Sequence, residues 1–219
     1  MLLNKVTLTG IDRWTNINDL INLQLQYPAV EFGVLVSATN VSERFCDLET
    51  IKRFCNKGLN LSMHVCGRLV KQILVNDFTE FNQGYGGLLS NFKRMQLNTH
   101  SIKHKYSTDI VFPDNIQVIL QLDGANSEFF NCYIDKANVV GLNDMSGGNG
   151  ILPDSWEKSE MAYTGFAGGI SPDNVVEVVK QLESIQDKHY WIDMETHIRT
   201  NERLDLNKCE LVLKQIYQH

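Results

Sequence analysis

Phe166-Ala167-Gly168-Gly169-Ile170-Ser171-Pro172-Asp173-Asn174-Val175 reads as the end of a strand, a glycine turn and the start of a helix. It follows a short apolar run, Met161 to Gly165, and opens an apolar-periodic run from Val175 to Ile185. Two residues without Cβ let the backbone bend sharply and approach a ligand closely. Ser171 is the expected N-cap, with Pro172 at the first helical position, where a missing N–H costs nothing. The free N–H groups of such a helix start attract anions, phosphate above all. A well-made strand–helix turn without a ligand is the plainer alternative.

Working outward, the same alternation fills the chain. Short apolar runs predict strands at Lys5–Thr9, Val30–Val36, Leu59–Val65, Arg94–Leu97, Ile116–Leu122, Val139–Asn143, Ala162–Phe166 and Tyr190–Met194. They lack clean two-residue alternation, as expected of strands buried on both faces of a parallel sheet. Helices are expected at Ile17–Gln26, Leu48–Asn56, Leu69–Phe78, Glu128–Cys132, Ser155–Ser159, Val175–Ile185 and Asn207–Gln218. Asn82–Ser90, with Gly84, Gly86 and Gly87, reads as a flexible loop, and Asn98–Asn115 as a polar, irregular connection. Eight parallel strands with intervening helices in ~200–250 residues predict an α/β chain folded as one (β/α)₈ TIM barrel over residues 1–219. An open doubly wound sheet would carry its glycine-rich turn after the first strand. Here that turn is Thr9-Gly10-Ile11-Asp12, and the glycine-rich turns follow strands six and seven.

Composition narrows the partners. The 219 residues are 43% hydrophobic and 21% charged, with a net charge of −6. An acidic chain without a basic face argues against nucleic acid and anionic membrane. No apolar stretch approaches the ~20 residues needed to cross a bilayer. Met1-Leu2-Leu3-Asn4-Lys5 runs straight into a strand without signal-peptide features, so a cytoplasmic protein is expected. The five cysteines, Cys46, Cys55, Cys66, Cys132 and Cys209, are odd in number and include no C-x-x-C pair. That predicts small buried hydrophobes rather than a disulfide scaffold or zinc ribbon. Cys66 stands apart, just after a strand. No cofactor or bound metal is expected, and the chain is read as a monomer or homodimer.

A barrel builds its active site from the C-terminal ends of its strands. Those ends here carry Thr9, Ser37, His64, Gln96 with Asn98, Asp123, Asp144, Gly168 with Gly169, and Asp193 followed by His197. Three carboxylates and two histidines thus converge on one mouth. Carboxylates sharing a cleft shift one another's pKa values and divide into acid and base. Each residue alone has a plainer reading: Asp123-Gly124 as a turn, Asp193 as a loop cap, His64 as a hydrogen-bonded core histidine. Leu142-Asn143-Asp144-Met145-Ser146-Gly147-Gly148-Asn149-Gly150, with Trp156 beyond, reads as a strand-end carboxylate leading into a loop that can act as a lid. Phe32, Trp14, Trp156 and Trp191 are candidates to line a pocket for an aromatic group, or core packing.

Three of these segments carry a resemblance. Gly165 to Val175 resembles the Leu-Ala-Gly-Gly-Leu-x-Pro-Glu/Asp-Asn-Val phosphate turn of the phosphoribosylanthranilate isomerases, (β/α)₈ enzymes of tryptophan biosynthesis. Asp144, Gly147-Gly148-Asn149-Gly150 and Trp156 are similar to that family's Asp, Gly-Gly-Thr-Gly and Asp-Trp sequence after strand six. Ser42-Glu43-Arg44 is similar to its Ser-x-Arg, and Gln96-Leu97 to its Val-Gln-Leu-His strand. The similarity runs thinly over nearly the whole chain. It implies an Amadori rearrangement of a phosphorylated aminoaldose. Asp144 would be the acid, Arg44 the clamp on a substrate carboxylate, and Gly147, Gly148, Gly168 and Gly169 part of a phosphate grip. A planar bidentate arginine suits that clamp.

Two strand ends depart from the family pattern. Thr7-Leu8-Thr9-Gly10 stands where the family has Lys-x-Cys-Gly, whose cysteine is the base. A threonine hydroxyl is too weakly acidic for that task without an activating partner. Ile192-Asp193-Met194-Glu195-Thr196-His197-Ile198-Arg199 stands where the family has Val-Asp-Val-Ser-Ser-Gly-Val-Glu. An inward Glu195 would repel phosphate, whereas His197 or Arg199 could bind it. The expectation is therefore an acid–base isomerase of a small phosphorylated substrate, with His64, Asp123 or Asp193 as base. A non-catalytic phosphate-binding or structural barrel is the alternative. A metal-dependent phosphosugar epimerase using His64, Asp123, Asp193 and His197 is the third reading.

Overall fold

A computed structural model describes residues 1–39, 42–99 and 106–218. Eight parallel strands close into a barrel in chain order: β1 (Leu3–Thr9), β2 (Val30–Ser37), β3 (Leu61–Cys66), β4 (Arg94–Leu97), β5 (Gln117–Leu122), β6 (Val139–Asn143), β7 (Thr164–Ala167) and β8 (Tyr190–Met194). β8 returns to pair with β1, so no edge is left open. Helices α1 (Ile17–Gln26), α2 (Leu48–Cys55), α3 (Arg68–Ile73), α4 (Thr79–Gly84), α5 (Ser127–Asn131), α6 (Val175–Ile185) and α7 (Leu206–Tyr217) follow the strands, and a two-stranded ribbon, β9 (Arg199–Thr200) with β10 (Arg203–Leu204), precedes α7. No helix among the described residues is long and apolar enough to cross a membrane. Of the polar connection Asn98–Asn115, positions 100–105 lie outside the described residues.

Alternation along each strand sorts side chains between two cores. Phe32, Val34, Met63, Val65, Val118, Leu120, Phe166 and Ile192 face the helices in the large core between barrel and outer ring. Their neighbours face inward. On one side the interior is apolar, with Ile119, Val140, Leu142, Ala167 and Trp191 packed together. On the other it is polar. Arg94 grips Glu31 through Nε at 2.9 and 3.0 Å, donates through Nη2 to Thr7 Oγ1 at 2.9 Å, and lies 4.4 Å over the Trp191 ring. Burial would raise the Glu31 carboxyl, but Arg94 and Lys5 beside it outweigh that and hold it below the ordinary range.

Four sequence expectations differ. Leu69–Phe78 is not one helix: α3 ends at Ile73, Asn76 turns left-handed at φ 62°, and Asp77 Oδ1 accepts the Thr79 N–H at 3.0 Å to start α4. Asn82–Ser90 is no loop, because α4 runs to Gly84 and a 3₁₀ helix covers Gly86–Asn91, with Phe81 buried beneath. Ser155–Ser159 forms no helix. That stretch is pinned in irregular form by Gln186, whose Oε1 accepts the Ser159 N–H and whose Nε2 donates to Glu157 O. Finally, α6 starts at Val175 with Asn174, not Ser171, as its N-cap. Asn174 Oδ1 accepts the Ser171 N–H and Nδ2 donates to Gly169 O, which folds Ser171–Asn174 into a turn ahead of the helix.

Candidate active site

At the C-terminal end of the barrel lies one narrow cavity. Its wall includes Thr9, His64, Gln96, Gln121, Asp144, Gly148, Gly168, Gly169, Asp193, Glu195 and His197. The cavity volume is about 70 Å³.

The deepest polar group is Asp193, brought beside β1 by the closing strand pair. Thr9 Oγ1 donates to its Oδ1 at 2.7 Å. His64 Nε2 stands 3.9 Å from its Oδ2, too far for a hydrogen bond, and both of those atoms are buried without a partner among the described residues. Gly33 makes the arrangement possible. A Cβ there would lie 2.5 Å from Thr9 Oγ1 and 3.0 Å from His64 Nε2. Burial pushes the Asp193 carboxyl up to about 8, against the Thr9 hydrogen bond and the Arg94 charge. Burial likewise lowers His64 to about 3, against the pull of Glu31. Around neutral pH the pair is mainly a protonated carboxyl beside a neutral imidazole.

Asp144 enters from the end of β6. Gln121 Nε2 and the Gly148 N–H donate to its Oδ2 at 2.7 and 2.8 Å, and Ser146 Oγ donates to Oδ1 at 2.7 Å. The Gly147 N–H bonds the Asp144 carbonyl at 2.9 Å. Gly147 and Gly148 thus use their N–H groups to wrap the loop around the carboxylate.

Gly168 and Gly169 adopt φ of +115° and +63°. A Cβ on Gly169 would meet Leu152 N at 2.2 Å, and one on Gly168 would meet Ile151 O at 2.9 Å. The second glycine is thus demanded by the loop after β6, which lies directly on the turn. The N–H groups of Gly168, Gly169 and Ile170 donate to no acceptor among the described residues, and all three residues line the cavity. Successive free N–H groups of this kind form an anion-binding concavity.

The rim is cross-braced. Arg44 Nη2 pairs with Glu195 Oε1, while Arg44 Nε is buried without a partner among the described residues. Burial pushes the Glu195 carboxyl up, against the pull of Arg44 and Arg199. His197 Nε2 contacts Gly150 O at 3.0 Å. Arg199 is not placed to meet a ligand: its guanidinium donates to Gly10 O at 2.7 Å and to Glu202 O, and lies 3.5 Å from Asp12 Oδ2.

The structure therefore gathers Thr9, His64, Gln96, Asp144, Gly148, Gly168, Gly169, Asp193 and His197 at one cavity. Asp123 is not in its wall. β5 ends at Leu122, and Asp123 turns away to accept the Ala125 N–H at 3.0 Å while donating its own N–H to Asn126 Oδ1. Gln121, which sequence reasoning passed over, takes the inward place, and its signal was the two-residue step from Ile119. No group of three or more His, Cys, Asp or Glu is gathered as a metal site among the described residues. The aromatic candidates lie elsewhere. Phe32 is core, Trp191 sits under Arg94, Trp156 packs edge-on to Phe166, and Trp14 is sandwiched between Arg13 and Arg203 at 4.0 and 4.2 Å. Cys66 accepts from Asn98 Nδ2, and burial pushes its thiol up to about 12, which leaves it unreactive.

No family model matches the sequence, and no curated protein matches it. Solved structures do resemble the fold. Phosphoribosyl anthranilate isomerase from Thermotoga maritima superposes with a TM-score of 0.61 at 15% identity, covering 99% of this chain and 100% of that one. N-(5'-phosphoribosyl)anthranilate isomerase from Pyrococcus furiosus gives 0.59 at 16% identity, covering 98% and 99%. A structure of monomers of the dimeric Thermotoga maritima enzyme gives 0.59 at 16%, covering 97% and 98%. At these identities the likeness is one of fold, and fold alone does not carry function.

Proposed function

We propose that the chain is an intramolecular acid–base isomerase of a phosphorylated sugar, of the Amadori or aldose–ketose type. One observation carries the reading. Two carboxyl groups in opposite environments, Asp193 with an unpartnered oxygen and Asp144 held by three donors, share one cavity beside three free N–H groups. Paired titratable groups in divergent environments are how acid and base roles are divided. The free N–H groups at Gly168–Ile170 suit the phosphate.

In this reading Asp144, having taken up a proton in place of one of its three donors, delivers it to the ring oxygen as the C1–O bond opens and the lone pair of the C1 heteroatom forms C1=N or C1=O, the acid role being the one the sequence resemblance implies. The ionised form of Asp193 then removes the C2 proton through Oδ2, the electron pair becomes the C1–C2 double bond, and the π pair of C1=N or C1=O moves onto the heteroatom, giving an enaminol or enediol that tautomerises to the ketose. With a carboxyl near 8, about one molecule in ten carries that base at pH 7, and the base is strong when formed. Thr9 holds Oδ1 and fixes the direction of Oδ2. Thr9 is then a positioning residue at a place where the resembling family has its base.

Turnover is the test. Aldose phosphates and N-(5'-phosphoribosyl)anthranilate are incubated with the protein and products read by NMR, with Asp144→Asn and Asp193→Asn as controls. Conversion lost in either variant supports the isomerase. A ligand bound equally by wild type and Asp144→Asn, with no conversion, supports the second reading, a non-catalytic phosphate-binding barrel. That reading is favoured by one fact: both Asp144 oxygens are already occupied by the protein's own donors.

A further inference from the structure

Thr7 stands between two carboxyls. It is in register with Glu31 on β2 and with Asp193 on β8, so the three side chains enter the barrel interior at one height on adjacent strands. Neighbouring strands lie about 4.8 Å apart, which puts Glu31 and Asp193 about 10 Å apart at the backbone. Arg94, from β4, reaches into the gap. Its Nη2 donates to Thr7 Oγ1 at 2.9 Å, and its Nε grips Glu31 at 2.9 and 3.0 Å. Thr7 Oγ1 donates in turn to Glu31 Oε1 at 3.1 Å. Arg94 Nη1 is buried and has no partner among the described residues. One guanidinium is thus lodged between a carboxylate that holds it and a carboxyl that does not.

Barrel interiors are filled mainly by branched apolar side chains, whereas Thr7, Glu31, Ser62 and Arg94 are all buried here. Lys5 adds a second cation, 3.6 Å from Glu31 Oε2. With Asp193 protonated this group carries an excess positive charge, and with Asp193 ionised it is neutral. Arg94 therefore favours the carboxylate, while Glu31 opposes it by occupying Arg94. Charges buried in this way are screened little by solvent. The directions agree: Arg94 pulls the Asp193 carboxyl down, and Glu31 pushes it up. The same two charges act on His64, where Glu31 raises and Arg94 lowers. The other groups around Asp193 are already engaged. Thr9 donates to its Oδ1, Glu195 on the same strand pairs with Arg44, Asp144 across the cavity holds three donors, and Arg199 is bound to Gly10 O and Glu202 O.

We infer that Arg94 and Glu31 act on the reaction through Asp193, as positioning residues that set its charge from within the barrel: Arg94 favours the carboxylate and Glu31 the neutral acid. The inference rests on the isomerase reading above only for the role of Asp193 as base, and control of its charge stands apart from turnover.

Carboxyl-carbon NMR of the full chain labelled at aspartate tests it, with the Asp193 signal assigned by its loss in Asp193→Asn. Arg94→Gln, which keeps donors for Thr7 and Glu31, should move the Asp193 midpoint up by about 1 pH unit, and Glu31→Gln should move it down by about as much. A merely structural pair would not give opposite signs. Loosening the barrel from either side admits water, relieves burial and moves both midpoints down together. If Arg94→Gln does not fold by circular dichroism, the same step is taken within Glu31→Gln, where adding Arg94→Gln strands no carboxylate and should again raise the midpoint. The pH–rate profile of aldose phosphate turnover should shift in the same two directions. Opposite midpoint shifts without turnover in any of the proteins would uphold control of Asp193 and sink the isomerase reading. Shifts of one sign, or midpoints that do not move, would overturn the inference.

Discussion

Thr9 Oγ1 donates to Asp193 Oδ1 at 2.7 Å across the seam where the first strand of the barrel meets the last. The bond leaves Oδ2 buried 3.9 Å from His64 Nε2, and it couples barrel closure to the geometry of the candidate base. A threonine there cannot do the chemistry itself, yet it can set which carboxylate oxygen is free to act.

Removing that donor should move the chemistry in pH. The Thr9 hydrogen bond pulls the Asp193 carboxyl down from the level burial alone would impose. Thr9→Val should therefore shift the apparent pKa of the rate above about 8 and slow turnover at neutral pH, while Thr9→Ser restores both. A pH–rate profile for the three proteins is the measurement, and an unmoved profile in Thr9→Val would count against a positioning role.

Stability should carry an unusual pH signature. The Asp193 carboxyl lies at about 8 in the folded chain against about 4 when unfolded, so its contribution is complete below pH 4 and lost as pH rises through 8. His64, at about 3 folded against about 6.5 unfolded, runs the other way: its contribution is complete above pH 6.5 and lost as pH falls towards 3. The two slopes oppose each other between about pH 4 and 6.5, and only the Asp193 loss remains from 6.5 to 8. Thermal melts should show Asp193→Asn gaining on wild type as pH rises from 6.5 to 8. His64→Asn should gain on wild type as pH falls below 6.5. A constant difference across that range would contradict both assignments.

Below the site, the Glu31–Arg94 pair is buried and shares Thr7. Truncating one partner leaves an uncompensated charge inside the barrel. Arg94→Met should cost about 3–5 kcal/mol in urea unfolding. A loss under about 1 kcal/mol would mean that water reaches the stranded Glu31.

Gly169 is held to its size by the neighbouring loop rather than by a ligand. Gly169→Ala combines φ of +63° with a Cβ at 2.2 Å from Leu152 N. It should push the loop after β6 off the turn, destabilise the chain by about 1–3 kcal/mol and weaken phosphate binding together. Chemical unfolding and phosphate titration of the variant check the pair of effects, and a variant as stable as wild type would refute the close approach.

Much of the fold was legible because most barrel strands are buried on both faces, so short apolar runs such as Val30–Val36 and Tyr190–Met194 stand out from polar connections. Helices with a long apolar stripe, α1 and α6, were read to the residue. Short ones were not. Thr79–Gly84 owes its helix to burial of Phe81, and Ser155–Ser159 loses one to Gln186, which lies about 30 positions away. In the site, the inward residues of β1, β3 and β8 followed from strand ends. Asp123 misled because the chain turns immediately after Leu122, a turn set by Asn126. The Glu31–Arg94 pair left a signal, a lone charge in each of two apolar runs, but nothing in either run names the other as its partner.

The most direct test of the central claim is solvent deuterium exchange at C2 of aldose phosphates, followed by NMR across pH in wild type and Asp193→Asn. Exchange reports proton abstraction even when no product accumulates. The acid–base reading predicts exchange in wild type that rises with an apparent pKa near 8 and falls by about 10²-fold or more in Asp193→Asn. Absence of exchange in wild type, or an equal rate in the variant, would contradict Asp193 as the base of an isomerase.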